Sequence, residues 1–360
     1  MKEKIGIGFI GTGFARKVQL PAFKMCENAE LVSVASASLA NAESTAKEFN
    51  IPHWTDNWRE TIEHKDVDLV CITTPPNLHC EQTLYALEHN KHILCEKPMA
   101  MTVAEAQKMC EAAKSRGVMA LIDHELRFQN GRQKAFQMLR NGEIGKIRHV
   151  KYVFRNAQRG NPDILWNWWS DETQGGGTLG AIGSHAIDTM CWFLGTEISS
   201  VFCQLQTHVK QRKDANAEIK QVTSDDETNM LLRFADSDLT EDATGNVSLS
   251  MVEFPDYQHS IEFVGTEGSL KVLYLGEIFL TKKGEENWTP IEVELERSVD
   301  GIFNSGFPSG FVAFAKRIID TLQAGETEIP HAATFEDGLR VQEVLDKARE
   351  SNSNGCLIKI

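Results

Sequence analysis

Apolar and polar positions change rhythm about a third of the way along the chain. Short, almost wholly apolar runs lie at 4–10, 31–35, 68–73, 92–95 and 118–122. Between them come stretches of helical character: from the Gly-rich turn to about Cys26, over 41–49, up to about Glu88, and over 103–116. A strand covered on both faces reads as a continuous apolar run, and helices between parallel strands supply the cover. The pattern therefore predicts a doubly wound parallel sheet.

After Arg127 the rhythm differs. A helix is expected over 131–141 and a strand over 147–155, followed by a Trp-rich loop, a Gly-rich segment and a helix to Leu194. From 201 to 280 apolar and polar residues alternate, as in His259-Ser260-Ile261-Glu262-Phe263-Val264. That alternation predicts an antiparallel sheet with one wet face. The charged stretch 211–227 reads as a mobile surface loop. Helices over 310–322 and 334–350 and a strand near 357–360 complete the expected second domain.

The length of 360 residues exceeds one typical core, which agrees with two domains. The net charge of −14 argues against nucleic acid, which needs a basic face. It also means that a bound phosphate must be held locally, by backbone amides and a few placed side chains. No run approaches the roughly 18 apolar residues of a spanning helix, so no membrane is expected. The N-terminus runs straight into an apolar strand, so no cleavable leader is expected. Cysteines 26, 71, 80, 95, 110, 191, 203 and 356 are scattered, with no C-x-x-C pair. This predicts a reducing, cytoplasmic setting and no metal site.

Gly11-Thr12-Gly13 follows the first strand and opens a helix, the context in which a pyrophosphate approaches backbone amides. Arg16 stands at the third fingerprint position, so the motif gains its weight from the βα units that follow it. The second strand ends in Ala35-Ser36-Ala37-Ser38, where an NAD enzyme usually has an acid for the ribose 2′-hydroxyl. Ser36 and Ser38 favour NADP over NAD, because no carboxylate is there to repel a 2′-phosphate.

Several stretches together resemble the glucose–fructose oxidoreductase / inositol dehydrogenase / rhizopine-catabolism (Gfo/Idh/MocA) family. They are Ile7-Gly8-Phe9-Ile10-Gly11-Thr12-Gly13-Phe14-Ala15, Ile72-Thr73-Thr74-Pro75-Pro76-Asn77-Leu78-His79 and Cys95-Glu96-Lys97-Pro98. Arg127-Phe128, Gly142-Glu143-Ile144-Gly145, Gly175-Gly176-Gly177 and Gly183-Ser184-His185-Ala186-Ile187-Asp188 follow. The resemblance implies an α/β N-terminal Rossmann domain over 1–124 and an α+β domain over 125–360 with a large, mostly antiparallel open sheet.

It further implies that Gly11, Gly13, Phe14, Ala15, Ser36, Ser38, Thr73, Thr74, Pro75, Asn77, His79, Glu96 and Lys97 hold the cofactor. Lys97 and His185 are the implied catalytic pair. Lys97 sits where doubly wound sheets place ligands and has the chemistry to exchange a hydroxyl proton. Asp188 shares a helix face with His185 at i, i+3 spacing. Trp166, Trp168 and Trp169 precede the glycines; sugar rings stack on such faces, and one or two of the three, Trp166 and Trp168 foremost, are expected to line a pocket. Core packing is the competing reading for at least one of them.

In one respect the chain departs from the family, whose dehydrogenases commonly carry Asp four residues before this His. Here the residue is Ala181. Glu125, just after the fifth strand, is a candidate replacement; alternatively it is a solvent-facing acid paired with Arg127. Glu125, Arg127 and Asp188 join Lys97, His185 and the tryptophans as expected substrate contacts. The expected activity is hydride transfer between a nicotinamide and a carbinol carbon of a sugar, cyclitol or related polyhydroxylated compound, in a homodimer or homotetramer assembled through the second-domain sheet. A redox-cycling glycosidase with tightly bound NAD, and a non-catalytic ligand sensor, are the alternatives.

Overall fold

The computed structural model describes residues 3–296, 302 and 305–360. The chain divides into two compact units, Met1–Gln129 with Glu296–Leu339, and Asn130–Leu295 with Arg340–Ile360.

All five apolar runs are strands of unit 1: β1 Ile5–Ile10, β2 Ala29–Ala35, β4 Leu69–Ile72, β5 His92–Cys95 and β6 Ala120–Ile122. β3 (His53–Thr55) adds a sixth strand that the hydropathy pattern does not announce. Among the helices are α1 (Leu20–Lys24), α2 (Leu39–Phe49), α3 (Trp58–Glu63), α4 (His79–Glu88) and α5 (Val103–Lys114). The sheet order is β17-β6-β5-β4-β1-β2-β3, parallel except for β17 (Ala333–Thr334), which runs antiparallel to β6. The chain thus travels outward from β1 in one direction as far as β3 and then in the other from β4. The carboxyl ends of β1 and β4 flank the reversal, the place where doubly wound sheets leave a crevice for ligands.

β17 and helix α8 (Gly306–Gln323) correct the expected boundary after residue 124. Both lie in unit 1. Phe311, Phe314, Ile318 and Ile319 of α8 pack with Phe9, Phe23 and Leu94 on one face of the sheet, with Phe23 and Phe311 edge to face at 5.6 Å. The other face is filled by Ile10, Val70, Ile93, Met109 and Phe335, among others. Apolar cover for a two-faced sheet must come from somewhere, and here a late segment of the chain provides it.

Unit 2 carries α6 (Asn130–Arg140), α7 (Ser184–Leu194) and a nine-stranded sheet. Its strands are β7 (Ile147–Arg155), β8 (Ile198–Gln206), β11 (Glu227–Phe234), β12 (Thr240–Ser250), β13 (Gln258–Gly265), β14 (Gly268–Leu273), β15 (Ile278–Lys282), β16 (Thr289–Ile291) and β18 (Ile358–Lys359). Pairing is antiparallel throughout except between β7 and β12. One face packs on α7, where Phe193 meets Phe263 at 4.9 Å. The other carries polar ladders such as Lys151–Glu262. The unit boundary at Leu339/Arg340 falls inside helix α9 (Phe335–Asn354).

The stretch 211–227 is not the loose loop its charge suggests. It forms a hairpin of β9 (Gln211–Lys213) and β10 (Ile219–Gln221), and Arg212, Ser224 and Asp226 are buried. Arg212 donates to the carbonyls of Asn161 and Arg159, and Asp226 accepts from the amides of His208 and Val209 at 2.8 Å. Charge that reads as solvation is here consumed by backbone groups. Among the described residues no helix is long and apolar enough to cross a membrane.

Candidate active site

The loops that leave the carboxyl ends of β1, β2, β4, β5 and β6 bring most of the expected cofactor residues to one edge of unit 1. Gly11 has φ +98° and donates its amide to Ala35 at 2.9 Å. A Cβ there would lie 2.6 Å from the Thr73 carbonyl oxygen, so only glycine fits. Gly13 is different: it is exposed, and a Cβ built on it meets nothing within 4 Å. Open space at a glycine that opens a helix, at the carboxyl edge of a parallel sheet, lets a pyrophosphate approach the helix-opening amides, so the residues present fit a dinucleotide. The helix then takes a π-helical turn over Ala15–Gln19 before α1. Phe14 is half-buried, whereas the Ala15 side chain belongs to the core. Arg16, in the place of the third glycine, reaches out to Glu48 at 2.5 Å.

Ser36 is half-buried, and its hydroxyl accepts from the Ser38 amide. Ser38 caps α2, accepting from the Asn41 amide at 3.4 Å. One of the two serines expected to meet a 2′-phosphate therefore already serves the helix. Thr73 donates its hydroxyl to the Ile10 carbonyl at 3.1 Å, Thr74 donates to Gln82 at 2.7 Å, Pro75 is half-buried and Asn77 exposed. His79 is buried, with Nδ1 3.0 Å from the Pro98 carbonyl and Nε2 2.9 Å from the Thr74 carbonyl. It ties two of the edge loops to each other from below instead of facing outward. Burial lowers its pKa, against the pull of those carbonyls.

Glu96 and Lys97 leave β5 side by side, Glu96 buried and Lys97 half-buried. The Glu96 carboxyl is pushed up by burial and held down chiefly by the Lys97 charge. Beneath them lies a group that the sequence reading did not single out. Gln19 Nε2 donates to Glu96 at 3.2 Å and to Asp123 at 2.8 Å, and all three are buried. Burial raises the Asp123 carboxyl well above the usual range, and the neighbouring Glu96 and Glu125 raise it further. The legible signal was position: Asp123 directly follows an apolar strand, as Glu96 does.

Glu125 and Arg127 occupy a short 3-10 turn, Glu125–Phe128. Both are buried, so Glu125 is not the solvent-facing acid of the alternative reading. Arg127 pairs with Asp337 at 3.6 Å and donates to the His331 carbonyl at 3.3 Å.

In unit 2 the Gly-rich segment leads through a π-helical turn, Leu179–Gly183, into α7. His185, Asp188 and Ala181 are all buried. Asp225 fixes the entry: its carbonyl accepts from the Thr178 amide at 3.0 Å, and its carboxylate accepts from the Leu179 amide and the Thr228 hydroxyl, each at 2.8 Å. Burial raises its pKa while those donors restrain it. Gly177, at φ +114°, leaves no room for a Cβ against the Asp225 carboxylate. Asp225 lies in the stretch taken for a mobile loop, so nothing in the charge pattern marked it.

None of Trp166, Trp168 and Trp169 is fully buried. Trp166 is pinned to the hairpin, its amide to the Lys213 carbonyl at 2.7 Å and its indole N–H to the Gln221 carbonyl at 2.8 Å. Trp168 and Trp169 tilt against each other at 5.8 Å, with Arg159 over Trp169.

Residues 5–124 match the GFO_IDH_MocA oxidoreductase family, NAD-binding Rossmann fold, and residues 132–271 match the GFO/IDH/MocA C-terminal domain. An uncharacterized oxidoreductase of Synechocystis sp. is 30% identical over 266 residues, 73% of this chain and 70% of that protein. Glucose-6-phosphate 3-dehydrogenase of Bacillus subtilis is 28% identical over 353 residues, 97% and 96% of the two chains. Levoglucosan dehydrogenase, solved in complex with NADH and levoglucosan, aligns with a TM-score of 0.85 over 99% of both chains at 24% identity, a likeness of fold.

Proposed function

The chain belongs to the Gfo/Idh/MocA family of NAD-binding oxidoreductases, and from that premise we propose that it is a dehydrogenase of a CH–OH group in a sugar, cyclitol or related polyhydroxylated compound. The observation that carries the proposal is Lys97 at the same carboxyl edge as the helix-opening turn where Gly13 leaves open space. Gly11, Gly13, Phe14, Ser36, Thr73, Thr74, Pro75 and Asn77 would hold the dinucleotide, with Ala15, Ser38 and His79 acting through the backbone and loops they fix. Bound there, the dinucleotide supplies the hydride acceptor or donor.

The Lys97 amine takes the substrate's hydroxyl proton as the carbinol becomes a carbonyl, and returns it in the reverse direction. Glu96 holds the lysine's end of the strand. His185 with Asp188, and Glu125, Arg127, Trp166 and Trp168 as substrate contacts, enter from the family resemblance. NADP is the inferred preference, resting on the absence of an acid at Ser36. A homodimer or homotetramer is the inferred assembly, and sedimentation equilibrium distinguishes the two.

The test is a panel of sugars, sugar phosphates and cyclitols, levoglucosan and glucose 6-phosphate among them, assayed for NAD(P)H formation. With the substrate found, Lys97→Met lowers kcat by about 10²–10⁴-fold and leaves NAD(P)H affinity nearly intact. His185→Ala lowers it less, with some rise in KM. Full activity in the Lys97 variant would contradict the assignment.

A further inference from the structure

Gln19, Glu96 and Asp123 come from the helix after β1, the end of β5 and the end of β6, and they converge beneath Lys97. A primary amide has two N–H bonds. Here one Gln19 nitrogen serves two carboxyls, which places them against each other in the interior. Glu96 also accepts from the backbone N–H of Lys97 and faces the lysine's charge. The charged and titratable groups that act on Asp123 are acids, Glu96 on β5 and Glu125 on the turn after β6. The thiols of Cys71 on β4 and Cys95 on β5 face it too, both driven upward first by burial. Two carboxylates packed together out of water do not both ionise, and the one beside a cation keeps its charge. Lys97 acts on Glu96, so Asp123 is the member that keeps a proton, and a protonated Asp123 donates to the Glu96 carboxylate.

We propose that Asp123 is a positioning residue for Lys97: a neutral carboxylic acid that donates to Glu96, so that a single negative charge, fixed in place by Gln19, stands against the lysine. The protonation itself is independent of the dehydrogenase reading; its consequence for the reaction edge rests on that reading.

Infrared spectroscopy of the purified full chain reads the proton directly. At about pH 7 the spectrum of the protein minus that of Asp123→Asn shows the carbonyl stretch of a neutral carboxylic acid. In Glu96→Gln, where the like charge is gone, that band disappears at a pH lower by at least about one unit. A difference spectrum without the neutral-acid band would overturn the proposal, and so would a band indifferent to Glu96→Gln. Turnover with the substrate found tests the positioning, because Lys97 acts on kcat and leaves NAD(P)H affinity nearly intact. Asp123→Leu lowers kcat about tenfold or more, with NAD(P)H affinity little changed, and Asp123→Asn, whose amide still donates to Glu96, recovers most of that loss. Equal kcat in the Asn and Leu variants rejects the positioning role. Should the unaltered protein bind neither NADH nor NADPH, the dehydrogenase reading falls and takes the positioning role with it, while the infrared band still decides the protonation.

Discussion

The two glycine-rich segments of this chain share one use of glycine, Gly11 standing against the Thr73 carbonyl in the first, and differ in another. In unit 1, Gly13 borders space that no part of the protein fills. In unit 2, Gly176 lies where a Cβ would be 2.5 Å from the Trp169 carbonyl oxygen, and Gly177 stands against Asp225 at φ +114°. The first glycine leaves room for a visitor; the other two let the protein close on itself. A glycine motif is therefore a statement about close approach, and only the surroundings say whether the approaching group is a ligand or the protein's own backbone.

The largest expected effect breaks the closed side. Gly177→Ala combines a left-handed backbone, about 1–2 kcal/mol, with overpacking, about 1–3 kcal/mol. Urea unfolding of unit 2 shifts accordingly, by about 2–5 kcal/mol in sum if the two terms add. A silent Gly177→Ala would mean that Asp225 does not anchor the entry to α7.

That anchor was invisible in the sequence, and the reason is physical. Near-continuous apolar runs mark buried strands because burial on two faces leaves no choice of residue, so β1, β2, β4, β5 and β6 were legible. β3 has three residues with only Thr55 buried, and β17 has two, too few for a period. α8 was legible as a helix but not as a part of unit 1, since an amphipathic face does not name its partner. Asp225 and Asp226 read as solvated charge because composition does not reveal which carboxylates accept from backbone amides. Asp123 and Gln19 were missed for the same reason, while Lys97 and His185 were singled out only because the motifs around them resemble a family. Arg127 is an expected substrate contact from the sequence, but the ion pair it makes with Asp337, far along the chain, was not legible there.

The pH response sharpens the comparison between the units. His259 in unit 2 is buried, 2.8 Å from the Tyr152 hydroxyl, and burial holds its pKa well below the ordinary value. The unfolded chain binds a proton there that the folded one does not, so stability falls as pH drops below about 6.5. Asp123 in unit 1 has the opposite sign, its folded carboxyl raised well above the usual range. The folded state there binds the extra proton, and stability falls as pH rises from about 4 through the raised value. His79 and Asp225 add smaller contributions of each sign. Thermal unfolding across the pH range should show a less steep alkaline decline in Asp123→Asn and an unchanged acid one. An unchanged alkaline decline would count against a protonated Asp123.

The smallest expected effect is at the second strand's end. Ser36→Asp places a charge where a 2′-phosphate would lie and should move the ratio of NADP to NAD affinity toward NAD by about tenfold, about 1.4 kcal/mol. Strong NAD preference in the unaltered protein would overturn the NADP inference.

The central claim is that the space at Gly13 belongs to a nicotinamide dinucleotide, and NAD(P)H fluorescence titration of Gly13→Val tests it most directly. The account predicts a protein that unfolds within about 0.5 kcal/mol of wild type, because the new Cβ meets nothing within 4 Å, yet shows no saturable change in NAD(P)H fluorescence where the unaltered chain does. A folded Gly13→Val protein that binds NAD(P)H with wild-type affinity would contradict it.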